Sequence, residues 1–172
     1  MSLPRREQTA RGLVWEGGDA PDIARYLLIT PYVEGWALYA ERLADELGLY
    51  SSEVHREGLL VSESFRAARL VVDTGIHAMG WTREQALEFM LRNVGDNPLL
   101  YGAEVDRYAA WPGQALGYMV GALEIRRLRD EARQKLGPKF DLDGFHDVVL
   151  EGGIVPLPLL RERVELWVRN TP

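Results

Sequence analysis

Residues 52–80 read SEVHREGLLVSESFRAARLVVDTGIHAMG, and this stretch decides the fold. Its apolar residues keep a helical period without a proline, so the spacing predicts one long helix from about Ser52 to Met79, stopped at Gly80. Within it Leu59, Glu63, Arg66, Leu70, Asp73 and His77 succeed one another by four and three and therefore share a face. Val61, Phe65, Val72 and Ile76 supply apolar surface elsewhere on the helix, which predicts that it is largely buried. Buried charges need partners. The spacing offers Glu63 with Arg66 and Asp73 with His77 as a structural network. The functional alternative is a cleft-lining stripe in which Asp73 orients His77 as a donor or base.

Working outward, the same period persists and no two-residue alternation lasts long enough for a sheet, so the fold class is all-α, in one domain over residues 1–172. A lead-in helix is expected from Pro21 to Ile29, stopping before Pro31, and a second from near Tyr32 to Gly48. Beyond Gly80, Thr82 followed by Gln85 reads as a capping box opening a helix to about Val94. Further helices are expected at Leu100–Trp111, at Gln114–Leu136 before the Gly137-Pro138 stop, after Asp143, and from Pro158. The last carries Leu159, Leu160, Val164 and Trp167 on one stripe.

Composition narrows the function classes. The net charge of −6 offers no footprint for nucleic acid. The run Arg126, Arg127, Arg129, Arg133 is interleaved with Glu124, Asp130 and Glu131 and reads as a solvated helix face. Without cysteine there is neither a disulfide nor a thiolate metal site. No apolar run approaches the roughly 20 residues that span a bilayer, and Met1 to Gln8 lack a signal-peptide core. The expected compartment is the cytoplasm, although a piece of a longer exported protein fits equally well.

Two more clusters place polar groups among apolar ones. In Tyr32-Val33-Glu34-Gly35-Trp36-Ala37-Leu38-Tyr39-Ala40-Glu41 the two glutamates, Glu34 and Glu41, lie seven apart on one face. A glycine between a glutamate and a tryptophan suggests that something large packs against the backbone there; by spacing alone Glu34 reads as a paired carboxylate. The other cluster is Glu104, Arg107 and Tyr108, then Pro112-Gly113-Gln114, then Tyr118. A Pro-Gly break between two helices turns Tyr108 and Tyr118 towards one mouth. Hydroxyls and an amide there suit a peptide backbone or a developing oxyanion, or else a helix-corner packing motif. No His-Glu-x-x-His, Gly-x-Ser-x-Gly or phosphate-cradling loop occurs, and His55, His77 and His146 are scattered.

The segment Tyr32 to Glu41 resembles the "YVEGWALYAE" block of the bacterial family known as domain of unknown function 885. Arg69-Leu70-Val71-Val72-Asp73-Thr74-Gly75-Ile76-His77, Gly80 to Ala86, Glu104 to Tyr108, Pro112 to Tyr118 and Phe145-His146-Asp147 continue the resemblance in order, from about Tyr32 to Trp167. It implies a helical zinc peptidase of oligopeptidase-like fold. There, a His-Glu-x-x-Pro-Gly-His-His motif supplies two histidine ligands and the general base. Glu34 would be the third ligand, leaving a fourth position for water. His77, Tyr108 and Tyr118 would serve catalysis, and Arg107 and Gln114 would hold a peptide substrate.

The resemblance stops short at the front. The His-Glu motif belongs a few tens of residues before Glu34, and residues 1–33 contain no histidine. The expectation is therefore a C-terminal helical part of a zinc metallopeptidase, inactive alone, with zinc in the complete protein and none held tightly by Glu34 by itself. Its partners would be a peptide substrate once completed and a second copy as a homodimer, without nucleic acid or a membrane span. The rival is a non-catalytic peptide-binding or scaffold module of the same ancestry.

Overall fold

Helix boundaries fall where side chains can satisfy the unpaired ends of the backbone. Ser52 accepts a hydrogen bond from the His55 N–H, Asn97 from Leu100 and Asp141 from Gly144. Thr82 and Gln85 form the expected reciprocal capping box. Gly80 ends the long helix at φ +67°, a left-handed conformation that costs glycine nothing.

The computed structural model describes residues 29–151 and 153–172, and among them every regular element is helical. We label them α1 (Thr30–Glu46), α2 (Glu53–Met79), α3 (Arg83–Asn93), α4 (Pro98–Ala110), α5 (Gly117–Leu136), α6 (Leu142–Leu150) and α7 (Leu157–Asn170). Short 3₁₀ turns occupy Gln114–Leu116 and Gly137–Lys139. The all-α expectation holds. The lead-in helix expected before Ile29 lies outside the described residues. Pro31 sits in the first turn of α1, where its missing N–H is not needed. No helix among the described residues is long and apolar enough to cross a membrane.

Two apolar cores organise these helices. One joins α1, α5, α6 and α7 through Tyr32, Tyr39, Ile125, Leu128, Phe145, Val149 and Leu160. The other joins α2, α3, α4 and the first 3₁₀ turn through Ala68, Val72, Ala86, Met90, Tyr101, Val105 and Tyr108. Leu160 and Val164 carry α7 into the first core, whereas Leu159, placed on that stripe by periodicity, is 50% exposed.

α1 and α5 run parallel, since Thr30 meets Gly117 at one end while Glu46 meets Arg129 towards the other. They cross almost backbone to backbone. A Cβ on Gly121 would stand 1.8 Å from the Pro31 carbonyl oxygen and 2.8 Å from the Gly35 Cα. The packing partner that the sequence suggested for Gly35 is thus another glycine, not a bulky group.

α2 departs from expectation more. It buries Leu59, Ala68, Arg69, Val72, Asp73 and Gly75, while Leu60, Val61, Val71 and Met79 stay exposed, so it is a half-covered helix. α1, α3, α4, α5 and the first 3₁₀ turn all pack against it.

Candidate functional site

The Pro112-Gly113 break, the end of α4 and the start of α5 face the middle of α2, and the polar groups of all four segments meet around Arg69. This arginine is 6% exposed. Its guanidinium lies 4.2 Å from the Phe65 ring centre and 4.5 Å from that of Tyr118, stacked between two aromatic faces. Its Nε donates to the Tyr108 hydroxyl and its Nη2 to Glu104, each at 3.0 Å, while Nη1 is buried without a hydrogen-bond partner among the described residues. The Tyr108 hydroxyl in turn donates to Glu104 at 2.8 Å.

Glu104 is the acceptor on which the cluster converges. Burial alone would raise its carboxyl. Hydrogen bonds from Arg107 and Tyr108 and the charges of Arg107 and Arg69 outweigh that and hold it below the ordinary glutamate range. Tyr108 moves the opposite way. It is fully buried, and burial together with the hydrogen bond to Glu104 keeps its hydroxyl protonated far above neutrality, against the charge of Arg69. Arg107 reaches across the corner, donating to Glu104 at 2.8 Å and to the Gln114 amide oxygen.

Asp73 and His77 both belong to this corner, but not to each other. The buried Asp73 carboxylate accepts the Gly113 N–H at 3.1 and 3.2 Å, fixing the turn where Gly113 sits at φ +79°. His77 is exposed and turns its Nε2 to the Tyr108 carbonyl at 3.0 Å, so that nitrogen carries the proton. The expected Asp73–His77 pair is therefore not made. Spacing by four allowed it, but the backbone N–H of Gly113, 40 residues away, claims the carboxylate first. The expected Glu63–Arg66 pair also fails. Glu63 takes Arg42 and Arg126, and Arg66 turns to Ser62 and Glu41.

The structure thus gathers His77, Arg107, Tyr108, Gln114 and Tyr118 around Arg69. Arg69 and Phe65 went unassigned in the sequence, and the one available signal was an arginine on the buried side of α2. Tyr118 is half-buried, and its hydroxyl makes no hydrogen bond among the described residues. Glu34 reaches the cluster only through the backbone. It lies one turn beyond Thr30 and Pro31, which pack on Gly117 beside Tyr118. It too is half-buried, and it makes no hydrogen bond or ion pair among the described residues. No group of three histidine or carboxylate side chains is placed for a metal among them. Glu34 has no companion donors for zinc among the described residues.

A second polar hub lies in the other core. Arg129, 5% exposed, donates to the Tyr39 hydroxyl at 3.2 Å and to Glu46 at 2.8 and 3.1 Å. Because the Tyr39 oxygen accepts from Arg129, its proton points to His146 Nε2 at 2.8 Å, which makes that ring nitrogen the acceptor. Burial first, then the charge of Arg129, hold His146 below the ordinary histidine pKa against Asp143 and Asp147.

A family model described as bacterial protein of unknown function (DUF885) matches residues 8–164, beginning well before the Tyr32–Glu41 block. Among solved structures, the chain is similar to a protein called "putative lipoprotein" from Colwellia psychrerythraea, with 50% identity and a TM-score of 0.83. The match covers 86% of this chain and 26% of that one, so this chain spans about a quarter of its length. No curated protein matches.

Proposed function

The chain belongs to the bacterial family of unknown function DUF885, and from that premise we propose that it is the substrate-facing helical portion of a zinc peptidase completed by the rest of a family-length protein. One observation carries the reading. Glu41, Glu46, Glu63, Glu104 and Glu124 each hold an arginine, yet half-buried Glu34 has no partner among the described residues. A half-buried carboxylate that no described arginine claims is open to a further ligand. A metal held jointly with histidines from outside this chain would be such an occupant, and bound there it would supply a Lewis acid and an activated water.

This chain's own residues then orient and hold. The Tyr118 hydroxyl keeps its donor capacity and suits a substrate carbonyl or the oxyanion that forms from it. Arg107 and Gln114 line the same corner as peptide-backbone partners. Tyr108 acts through Arg69 and Glu104, which its hydroxyl ties together, and exposed His77 closes the mouth. The lipoprotein description of the Colwellia relative supports an exported family-length protein in place of the cytoplasm expected from the sequence.

Metal content by plasma mass spectrometry tests the reading. The full-length Colwellia relative is expected to retain about one zinc per chain, and to lose it when the residue equivalent to Glu34 becomes Gln. The present chain is expected to bind zinc only weakly and to hydrolyse no peptide. Tight stoichiometric zinc in the present chain, abolished by Glu34→Ala, contradicts the reading, as does a relative that keeps its zinc without the glutamate.

A further inference from the structure

The outer face of α2 carries a second pattern beside the buried one. Leu60, Ser64, Ala67, Val71, Thr74 and Ala78 follow one another by four, three, four, three and four, and all six are exposed. That is the spacing of a coiled-coil seam. The stripe runs for about 27 Å at 1.5 Å per residue, bounded by Glu57 at one end and Gly80 at the other. It holds no charge, although 27% of the chain is charged. Leu60 and Val71 are 54% and 41% exposed, and neighbouring Val61 is 53% exposed. Four of its six side chains are Ala, Ser or Thr, small enough for another helix to approach at the short end of ordinary interaxial distances.

We propose that this stripe is the seat of a helix from the remainder of the family-length protein. A second copy of the chain is the poorer occupant. A seam about 27 Å long and about 10 Å wide offers roughly 270 Å² per side, against about 800 Å² per partner in a stable two-chain interface. A helix in the same polypeptide needs far less area, because its docking bears no loss of translational and rotational freedom. The length to supply it exists: the chain matches only 26% of a relative that shares its fold at a TM-score of 0.83. The inference rests on family membership and not on the zinc reading.

The test compares two proteins carrying the same changes. Ala67→Arg with Val71→Arg in the present chain is expected to move its thermal midpoint by no more than about 2 °C, as for exposed positions. The equivalent changes in the full-length Colwellia relative are expected to lower its midpoint by about 10 °C or prevent folding, since they bury two unpaired charges. The milder Val71→Asn keeps the relative foldable and is expected to cost it a few degrees while leaving the present chain unmoved. Equal tolerance in both proteins overturns the proposal. So does sedimentation of the unsubstituted chain as a dimer that the arginines split, which assigns the stripe to a second copy. Zinc content reads the other proposal separately: stripe variants that fold normally while the Glu34-equivalent variant loses metal refute the docking alone.

Discussion

Each of the two cores is built around a buried arginine that touches a tyrosine hydroxyl and a glutamate, yet the hubs end differently. Arg69 is enclosed: aromatic rings cover both its faces, its glutamate is 20% exposed, and the tyrosine proton goes to that carboxylate. Arg129 opens outward: Glu46 is 41% exposed, and the tyrosine proton goes to a histidine. Similar parts therefore give one hub whose protonation is fixed near neutrality and one that can titrate. The glycine notches differ in the same sense. Gly121 in the Arg129 half faces backbone, whereas Gly75 in the Arg69 half faces the Trp81 ring, 2.5 Å from where its Cβ would stand.

The harshest way to break the comparison is Gly121→Ala. Its methyl would meet a carbonyl oxygen and a glycine Cα that no side-chain rotation can move. A loss of about 3 kcal/mol or more in chemical denaturation is expected, and a loss below about 1 kcal/mol would show that α1 and α5 separate easily. Next come the hubs. Arg69→Met should cost about 3 kcal/mol, because it breaks an enclosed pair. Arg129→Met should cost only about 1 kcal/mol, because Glu46 can return to water. Equal losses would erase the distinction between closed and open. Gly75→Ala ranks lower, at about 1–2 kcal/mol, since an indole can tilt aside where a backbone cannot.

The smallest effect is the titration of His146. Its folded pKa lies below the ordinary histidine value of 6.5, so the unfolded chain binds the proton more readily than the folded one. Stability should therefore be full above that ordinary value and decline as pH falls through it towards the lower folded pKa. Arg129→Met should raise the His146 pKa in an NMR titration by removing a repelling charge; an unmoved value would mean that the arginine does not act on the ring.

What was legible in the sequence follows from distance along the chain. The capping box at Thr82 and Gln85, the stop at Gly80 and the break at Pro112-Gly113 are legible in the sequence, because each is signalled by residues within a few positions. Asp73 and Glu63 were misassigned for the opposite reason. Neighbours by three or four were available, but Gly113, Arg42 and Arg126 come from other segments and are brought close only by packing. The tyrosines and Gln114 were legible as one corner because a single turn carries them. Arg69 escaped notice because its value lies in the two rings that enclose it, which periodicity does not show.

The parallel crossing of α1 and α5 also shapes how the chain acquires its structure. The segments that meet there, Pro31 to Gly35 and Gly117 to Gly121, lie some 86 residues apart, and closing so long a loop is slow relative to joining neighbours. On a ribosome α1 emerges first and must wait, its apolar side unpaired, until α5 has been made. The Arg69 half has no such delay, since α2, α3 and α4 follow directly on one another. The half with the titratable hub should assemble last, closing over a neighbour that is already folded.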